Sequence, residues 1–464
     1  MSLTTRAIGM PLDRADGPAK VTGAAMYAYE HAVERAAYVF PVQSTIAKGR
    51  IVAIDASAAK AVPGVLSVLS HENAPRLAPV PPPFPGFPPD EDLALFQSAV
   101  VAYDGQFVAA VVAETPEAAR YAAGLVVIRY AEKPPDVELD ANRADLYKPA
   151  KVGGGYETDT MSGDVEAALA SAAVALDHTY TTPAYHNNPL KPHTTVAVWR
   201  DDGVTLYNSD QGPHAIRDTV ARLFCLPLEQ VRVIAPFVGG AFGSKALPHP
   251  PAILAVMAAR VTRRPVKLAL TREQMFAVAG YRPPTIQRLR LGAGGDGRLT
   301  AIAHDVVEQT ATITEYAEQA AVATRMVYAA PNRRTTHRLA RLDLPVPSWM
   351  RAPGECPGMF ALESAMDELA IAGHLDPIEL RVRNEPAVDP ETGLPFSSRG
   401  LVACLREGAR RFGWAPRDPT PRTRQDGRWL VGDGVLGVGD RRGGAKAPRP
   451  PARRIRWRHP TRRP

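Results

Sequence analysis

The run Phe107-Val108-Ala109-Ala110-Val111-Val112-Ala113 constrains this chain more than any other segment. Seven consecutive apolar residues are too short to span a membrane and read as a strand buried on both faces. Such a strand needs a covering layer on each side. The residues that follow supply one, because Glu114-Thr115-Pro116-Glu117 is a helix start with an early proline and acids in the first turn. A helix over Ala118–Ala123 then leads into a second strand, Leu125–Tyr130, and Val65–Leu69 predicts another upstream. Residues 20–133 therefore predict a small α/β unit behind an N-terminal extension, 1–19.

Residues 134–160 are polar, rich in proline and glycine, and read as a linker. A second α/β region, 161–385, alternates in type. Val204–Tyr207 and Val231–Ile234 are strand-like, whereas Ile216, Val220 and Leu223 recur at helical spacing, as do Ile253, Leu254, Met257 and Val261. Residues 285–291 and 298–306 predict a hairpin around Gly294-Gly295-Asp296-Gly297. The fold class is α+β, mixed α/β. Trp429–Val435 reads as a strand entering a further domain within 386–438. Pro79–Pro89 holds seven prolines in eleven residues and reads as a surface loop rather than a ligand for a polyproline-binding partner.

The formal net charge of +7 invites a nucleic-acid partner, so its location matters. Residues 439–464 contain nine arginines, Lys446 and one acid, Asp440, which leaves −2 for residues 1–438. The basic excess belongs wholly to the tail, where apolar periodicity also stops. A reading-frame shift in a GC-rich gene accounts for such an Arg/Pro/Gly composition; a basic arm that binds nucleic acid or an acidic partner is the competing reading. Cys225, Cys356 and Cys404 form no CxxC pair, which argues against zinc or iron–sulfur sites and predicts reduced, buried thiols. The first residues show no apolar signal segment, which predicts a cytoplasmic protein unless a partner's signal exports it.

Three segments place backbone-exposing residues where an element begins. Asp210-Gln211-Gly212-Pro213 joins a strand to a helix. Gly239-Gly240-Ala241-Phe242-Gly243-Ser244-Lys245 follows a strand. Arg351-Ala352-Pro353-Gly354-Glu355 precedes a helix with Met359, Leu362, Met366 and Leu369 on one face. Small residues and helix starts let amide groups approach anionic or oxo ligands. Lys245 does not complete a P-loop, since Gly243-Ser244-Lys245-Ala246 lacks the required order. Gly292–Gly297 matches GxGxxG literally but sits in the predicted hairpin turn, with no helix after it.

In order and spacing the three segments resemble the xanthine dehydrogenase and aldehyde oxidase family of molybdopterin-binding subunits. The likeness extends through Asp16–Gly23, Gly105-Gln106, Gly163–Glu166 and Asp376–Arg381 and covers residues 6 to about 438. Met350–Glu355 and Asp389–Gly393 are similar to the aldehyde-oxidising bacterial branch. The resemblance implies an N-terminal α/β hammerhead-type domain followed by the first molybdenum-cofactor-binding domain, with the second beginning at 386.

It also implies hydroxylation of aldehydes or N-heterocycles, with water as the oxygen source and a glutamate as base. The molybdopterin would be the cytosine dinucleotide form, and iron–sulfur and FAD subunits would be its partners, with neither membrane nor nucleic acid involved. By resemblance Gln211, Gly240, Ala241, Phe242, Gly243, Arg351 and Ala352 contact the cofactor, the metal being held through the pterin dithiolene and not by protein side chains. Ala241 and Ser244 stand where relatives have glycine, which predicts side chains intruding on the cofactor. Lys191 stands where many have glutamate, which predicts a reversed charge near the centre. The family's base lies in a segment near the C-terminus of the full subunit, so the expectation for this chain is a truncated, catalytically inactive subunit.

Overall fold

Every residue of the strand Phe107–Ala113 is buried. It lies between Ala37–Gln43 and Val65–Ser70, antiparallel to both. Its two faces meet different layers. Val111 packs with Ala122 and Ala123 of the helix Pro116–Ala123, whereas Ala110 and Val112 join the cluster built on the helix Pro250–Thr262. The Thr115 hydroxyl caps the first of these helices by accepting from the Ala118 amide at 3.1 Å. The strand after it is Val127–Glu132, two residues later than expected, because Leu125 and Val126 still turn out of the helix and pack beneath it.

This computed structural model describes residues 10–82 and 89–414, together with 420, 423, 425–427, 429–432, 434–435 and 455–457. Ala37 pairs in parallel with Val266, which joins the strands of the first region to those of the second. The result is one seven-stranded sheet, in the order Val231–Ile234, Gly203–Asn208, Thr194–Arg200, Val266–Ala269, Ala37–Gln43, Phe107–Ala113, Val65–Ser70. The helix Pro250–Thr262 is buried continuously from Pro250 to Ala259 rather than along a single stripe, while Val261 is exposed. A helix apolar all round belongs inside.

A second sheet has five strands, in the order Thr160–Ser162, Asn332–Leu342, Leu299–Ala311, Thr285–Ala293, Val174–Thr182. Its central hairpin turns at Gly294–Gly297 as the sequence predicts. The helix Glu355–Ala372 lays Met359, Leu362, Met366 and Leu369 on it, all buried. Residues 134–160, read as a linker, lie against this sheet: Tyr147 exchanges backbone hydrogen bonds with Leu339, and the buried Thr158 donates to Pro149 O. Beyond residue 385 the helix Leu401–Phe412 packs Leu401 and Leu405 against Ile378 and Trp414.

The strand expected near Trp429 is present as Trp429–Gly432, paired with Gln425–Asp426. Of the Arg/Pro-rich tail only the strand Ile455–Trp457 is described, and of the proline-rich loop residues 83–88 lie outside the described residues. The cysteines depart from expectation. Cys225 and Cys356 are exposed and Cys404 is half-buried, because Cys225 sits in a turn at φ +55° and Cys356 lies on the outer side of its helix start. No helix among the described residues is long and apolar enough to cross a membrane.

Candidate functional site

The strand Gly203–Asn208 ends in a turn that Asp210 fixes from inside. Its carboxylate accepts from the Gly212 amide at 2.7 Å and the Asn208 carboxamide at 3.2 Å, and burial pushes its pKa up to about 6. The Gln211 amide donates to Lys245 O at 2.8 Å, leaving the Gln211 side chain exposed. From there Gln211 Oε1 accepts the Gly243 amide at 3.1 Å. The first two expected segments therefore meet.

The third joins them through the backbone, where the Arg351 amide donates to Phe242 O at 2.7 Å. Asn187 Nδ2 staples the same junction by donating to Phe242 O at 2.9 Å and Trp349 O at 3.2 Å. Gly243, at φ +110°, has to be glycine, since a Cβ there would lie 2.4 Å from Trp349 O. Phe242 and Ala352 both adopt left-handed backbone, φ +58° and +57°, and both are exposed. Non-glycine residues held in that region cost energy and concentrate at functional sites. An aromatic side chain 45% exposed on a strained loop is not a core residue.

Two buried cations hold these loops from behind. Lys245 is 1% exposed, and its ammonium donates to Lys191 O, Val238 O and Gly240 O at 2.9, 3.2 and 2.9 Å. Arg282 Nη2 donates to the carbonyls of Met350, Arg351 and Ala352 at 3.1, 2.5 and 3.3 Å. With those carbonyls drawn inward, both loops are held from behind. Burial, then Lys191 and Arg272, push the Lys245 pKa down to about 7. The Arg351 guanidinium is exposed and has no carboxylate partner among the described residues, so it is no structural ion pair.

Two sequence expectations need correcting. Ala241 and Ser244 do not intrude on this face. Both are buried, and the Ser244 hydroxyl donates back to Ala241 O at 3.0 Å, because the turn directs their Cβ atoms inward. Lys191 also stands behind the loop rather than on the open face. Its Nζ lies 5.6 Å from the Tyr27 ring centre, and burial pushes its pKa down to about 8. Asn187, Arg282 and the inward role of Lys245 were not read from sequence; Asn187 and Arg282 lie far from the glycine loop along the chain and belong to no local pattern.

An exposed guanidinium and an exposed carboxamide whose oxygen is already engaged form a donor-rich face suited to an anionic, oxygen-bearing ligand. Residues 148–385 match the molybdopterin cofactor-binding domain, and residues 22–134 match the aldehyde oxidase and xanthine dehydrogenase a/b hammerhead domain. The chain belongs to the aldehyde oxidase and xanthine dehydrogenase family of molybdopterin-binding subunits.

It is 41% identical to the aldehyde oxidoreductase molybdenum-binding subunit PaoC of Escherichia coli (strain K12), over 93% of this chain and 57% of that protein. It is 32% identical to the putative xanthine dehydrogenase molybdenum-binding subunit XdhA of the same organism, over 87% of this chain and 56% of that one. The aldehyde oxidoreductase from Desulfovibrio gigas superposes with a TM-score of 0.80 at 25% identity, covering 91% of this chain and 48% of that chain. The chain thus spans about half the length of the relatives it matches.

Proposed function

We propose that this chain supplies one wall of the cofactor pocket in a molybdenum hydroxylase that oxidises aldehydes or N-heterocycles. The reading is carried by the junction of Gln211, Ala241–Gly243 and Arg351–Ala352, three segments far apart in sequence that meet through hydrogen bonds of 3.1 and 2.7 Å. When bound, the molybdenum cofactor supplies two-electron oxidation chemistry with oxygen drawn from water.

The residues of this chain hold and shape. The Gln211 carboxamide offers its Nε2 hydrogens outward, since its oxygen is taken by Gly243. The amides of Ala241 and Phe242 would meet anionic oxygens of the cofactor, and Arg351 would add a positive charge beside them. Phe242 presents an aromatic surface that limits how a planar substrate approaches. We assign no catalytic base to this chain.

The match to a molybdopterin-binding domain and the names of its relatives support the cofactor class. The cytosine dinucleotide form and iron–sulfur and FAD partner subunits are further parts of this proposal. Relatives named as subunits, one of them a dehydrogenase complex subunit gamma, support a multi-subunit setting. The test is metal analysis of the purified chain, co-expressed with the cofactor's biosynthetic proteins. Stoichiometric molybdenum that falls several-fold in Arg351→Ala supports the reading, and a well-folded chain without molybdenum overturns it.

A further inference from the structure

Directly behind the Arg351–Gly354 loop lie four buried polar atoms that have no hydrogen-bond partner among the described residues. They are Tyr316 Oη, Glu308 Oε2, Glu318 Oε2 and Arg282 Nε. Glu308 and Glu318 are fully buried, and the Glu318 amide donates to Glu308 Oε1 at 2.8 Å. Glu318 Oε1 accepts the Gly354 amide at 2.6 Å, and Arg282 Nε stands 3.5 Å from that same oxygen. Arg282 therefore faces Glu318, and the Glu308 carboxyl lies one step further, bonded to the amide of Glu318. Like charges this close and this dry do not both ionise, so the neutral arrangement is one carboxylate, one carboxylic acid and Arg282.

The acid's proton needs an acceptor, and the fold provides room for one. Tyr316 also lines a cavity of about 50 Å³ with Ser348, His249, Asp90 and Asp92. Ser348 Oγ and His249 Nε2 on that cavity are buried without partners as well. Asp92 is anchored by the Tyr103 hydroxyl at 2.6 Å and Asp90 by the Thr314 hydroxyl at 3.2 Å. A water needs about 10–15 Å³ of such space and two to four polar partners, so this volume holds more than one.

We propose that Glu308 and Glu318 form a proton-storing site that holds one proton, with Tyr316, which lines this cavity, carrying its exchange with water there. The store adjoins the face formed by Arg351 and Ala352. Arg282 links the two, with Nη2 on the loop carbonyls and Nε toward Glu318. A negative charge arriving on the outer face is felt by Glu318 across one guanidinium, and the stored proton offsets it. This use of the store rests on the function proposed above; its existence does not. Burial pushes Glu318 up to about 7, and burial together with the Glu318 charge pushes Glu308 well above the usual carboxyl range. Arg282, Glu355 and Tyr316 are the other ionisable groups facing the pair.

The test uses the full chain without cofactor, its stability measured against pH for the unmodified protein and for Glu308→Gln. An acid whose pKa is raised on folding binds more protons folded than unfolded. Its contribution is complete below the ordinary glutamate value of 4.5 and is lost as pH rises toward the folded value. Asp90 and Asp92, also raised by burial, add to the same fall. The expected result is that Glu308→Gln lowers the number of protons released on unfolding above pH 4.5 by one. An unchanged slope overturns the proposal.

If that variant does not fold, the unmodified chain is examined by infrared spectroscopy at neutral pH. A protonated-carboxyl stretch that shifts in heavy water and persists in Asp92→Asn supports the site, and its absence from Asp92→Asn overturns it. A chain that shows the proton signature but takes up no molybdenum refutes the proposed function and leaves the proton store standing.

Discussion

The helix Pro250–Thr262 and the strand Leu299–Ala311 sit in the two halves of the molecule and are buried by opposite chemistry. From Pro250 to Ala259 the helix carries no titratable side chain, and its neighbours in the seven-stranded half are Leu206, Val220 and Leu268. The strand carries His304, Glu308, Gln309 and Thr310, none with any exposed surface. Apolar burial is non-directional, so the first half stabilises mainly through the area it removes from water. Polar burial succeeds only where each group has a partner, and that requirement fixes positions.

The polar half uses this to hold loops. His337 Nε2 accepts the Ala321 amide at 3.1 Å while Nδ1 donates to Thr158 O, and Glu318 holds Gly354. The pocket wall proposed above has to stay put, and Glu318 of the polar half restrains the Arg351 loop at Gly354.

The comparison can be broken most severely at Arg381. It is fully buried, with Nε on Glu363 at 2.8 Å and Nη1 on Asp367 at 2.8 Å. Arg381→Met deprives buried Glu363 of its guanidinium and is expected to cost about 3–5 kcal/mol in denaturant unfolding. Met257→Ala in the apolar helix is expected to cost about 2–5 kcal/mol. Its loss should change little with pH over the range in which the protein folds, since Met257 packs within a cluster of apolar side chains. A pH-dependent loss there would end the distinction between the halves.

Acid provides the converse test. Burial pushes His304 down to about 3 and His337 to about 4, so the unfolded chain binds more protons than the folded one below the ordinary histidine value of 6.5. Their contribution to stability is complete above that value and is lost as pH falls below it toward the folded values. His304→Gln should reduce the acid slope by one proton. Gly243→Ala is smaller in stability, about 1–3 kcal/mol. Its main readout is molybdenum content, because the clash with Trp349 O displaces the loop. Gln211→Ala is smallest, about 1 kcal/mol or less for one exposed hydrogen bond. It should lower molybdenum retention with almost no change in melting temperature; unchanged retention would remove Gln211 from the proposed wall.

Much of this was legible residue by residue. Val231–Ile234 is the strand its β-branched run predicts, Pro213–Leu223 the helix its spacing predicts, and Gly294–Gly297 the hairpin turn. These signals are local, carried by period, caps and turn residues. Small residues at element starts also marked the three segments, and the family resemblance assigned their Gln211, Phe242 and Arg351 to one site. It misjudged Ala241 and Ser244, because the direction of a Cβ in a turn depends on dihedral angles that composition does not encode.

What the sequence by itself determined was the inventory: which segments are strands and helices, where the loops fall and which residues the loops carry. Only the tertiary structure decided that Ala37 pairs with Val266, that Lys245 and Arg282 face backwards onto carbonyls, and that Glu308 meets Glu318 beneath Gly354. Most of these contacts join residues tens to hundreds of positions apart. Their energy comes from burial and partner satisfaction, which exist only once the sheets have closed on one another.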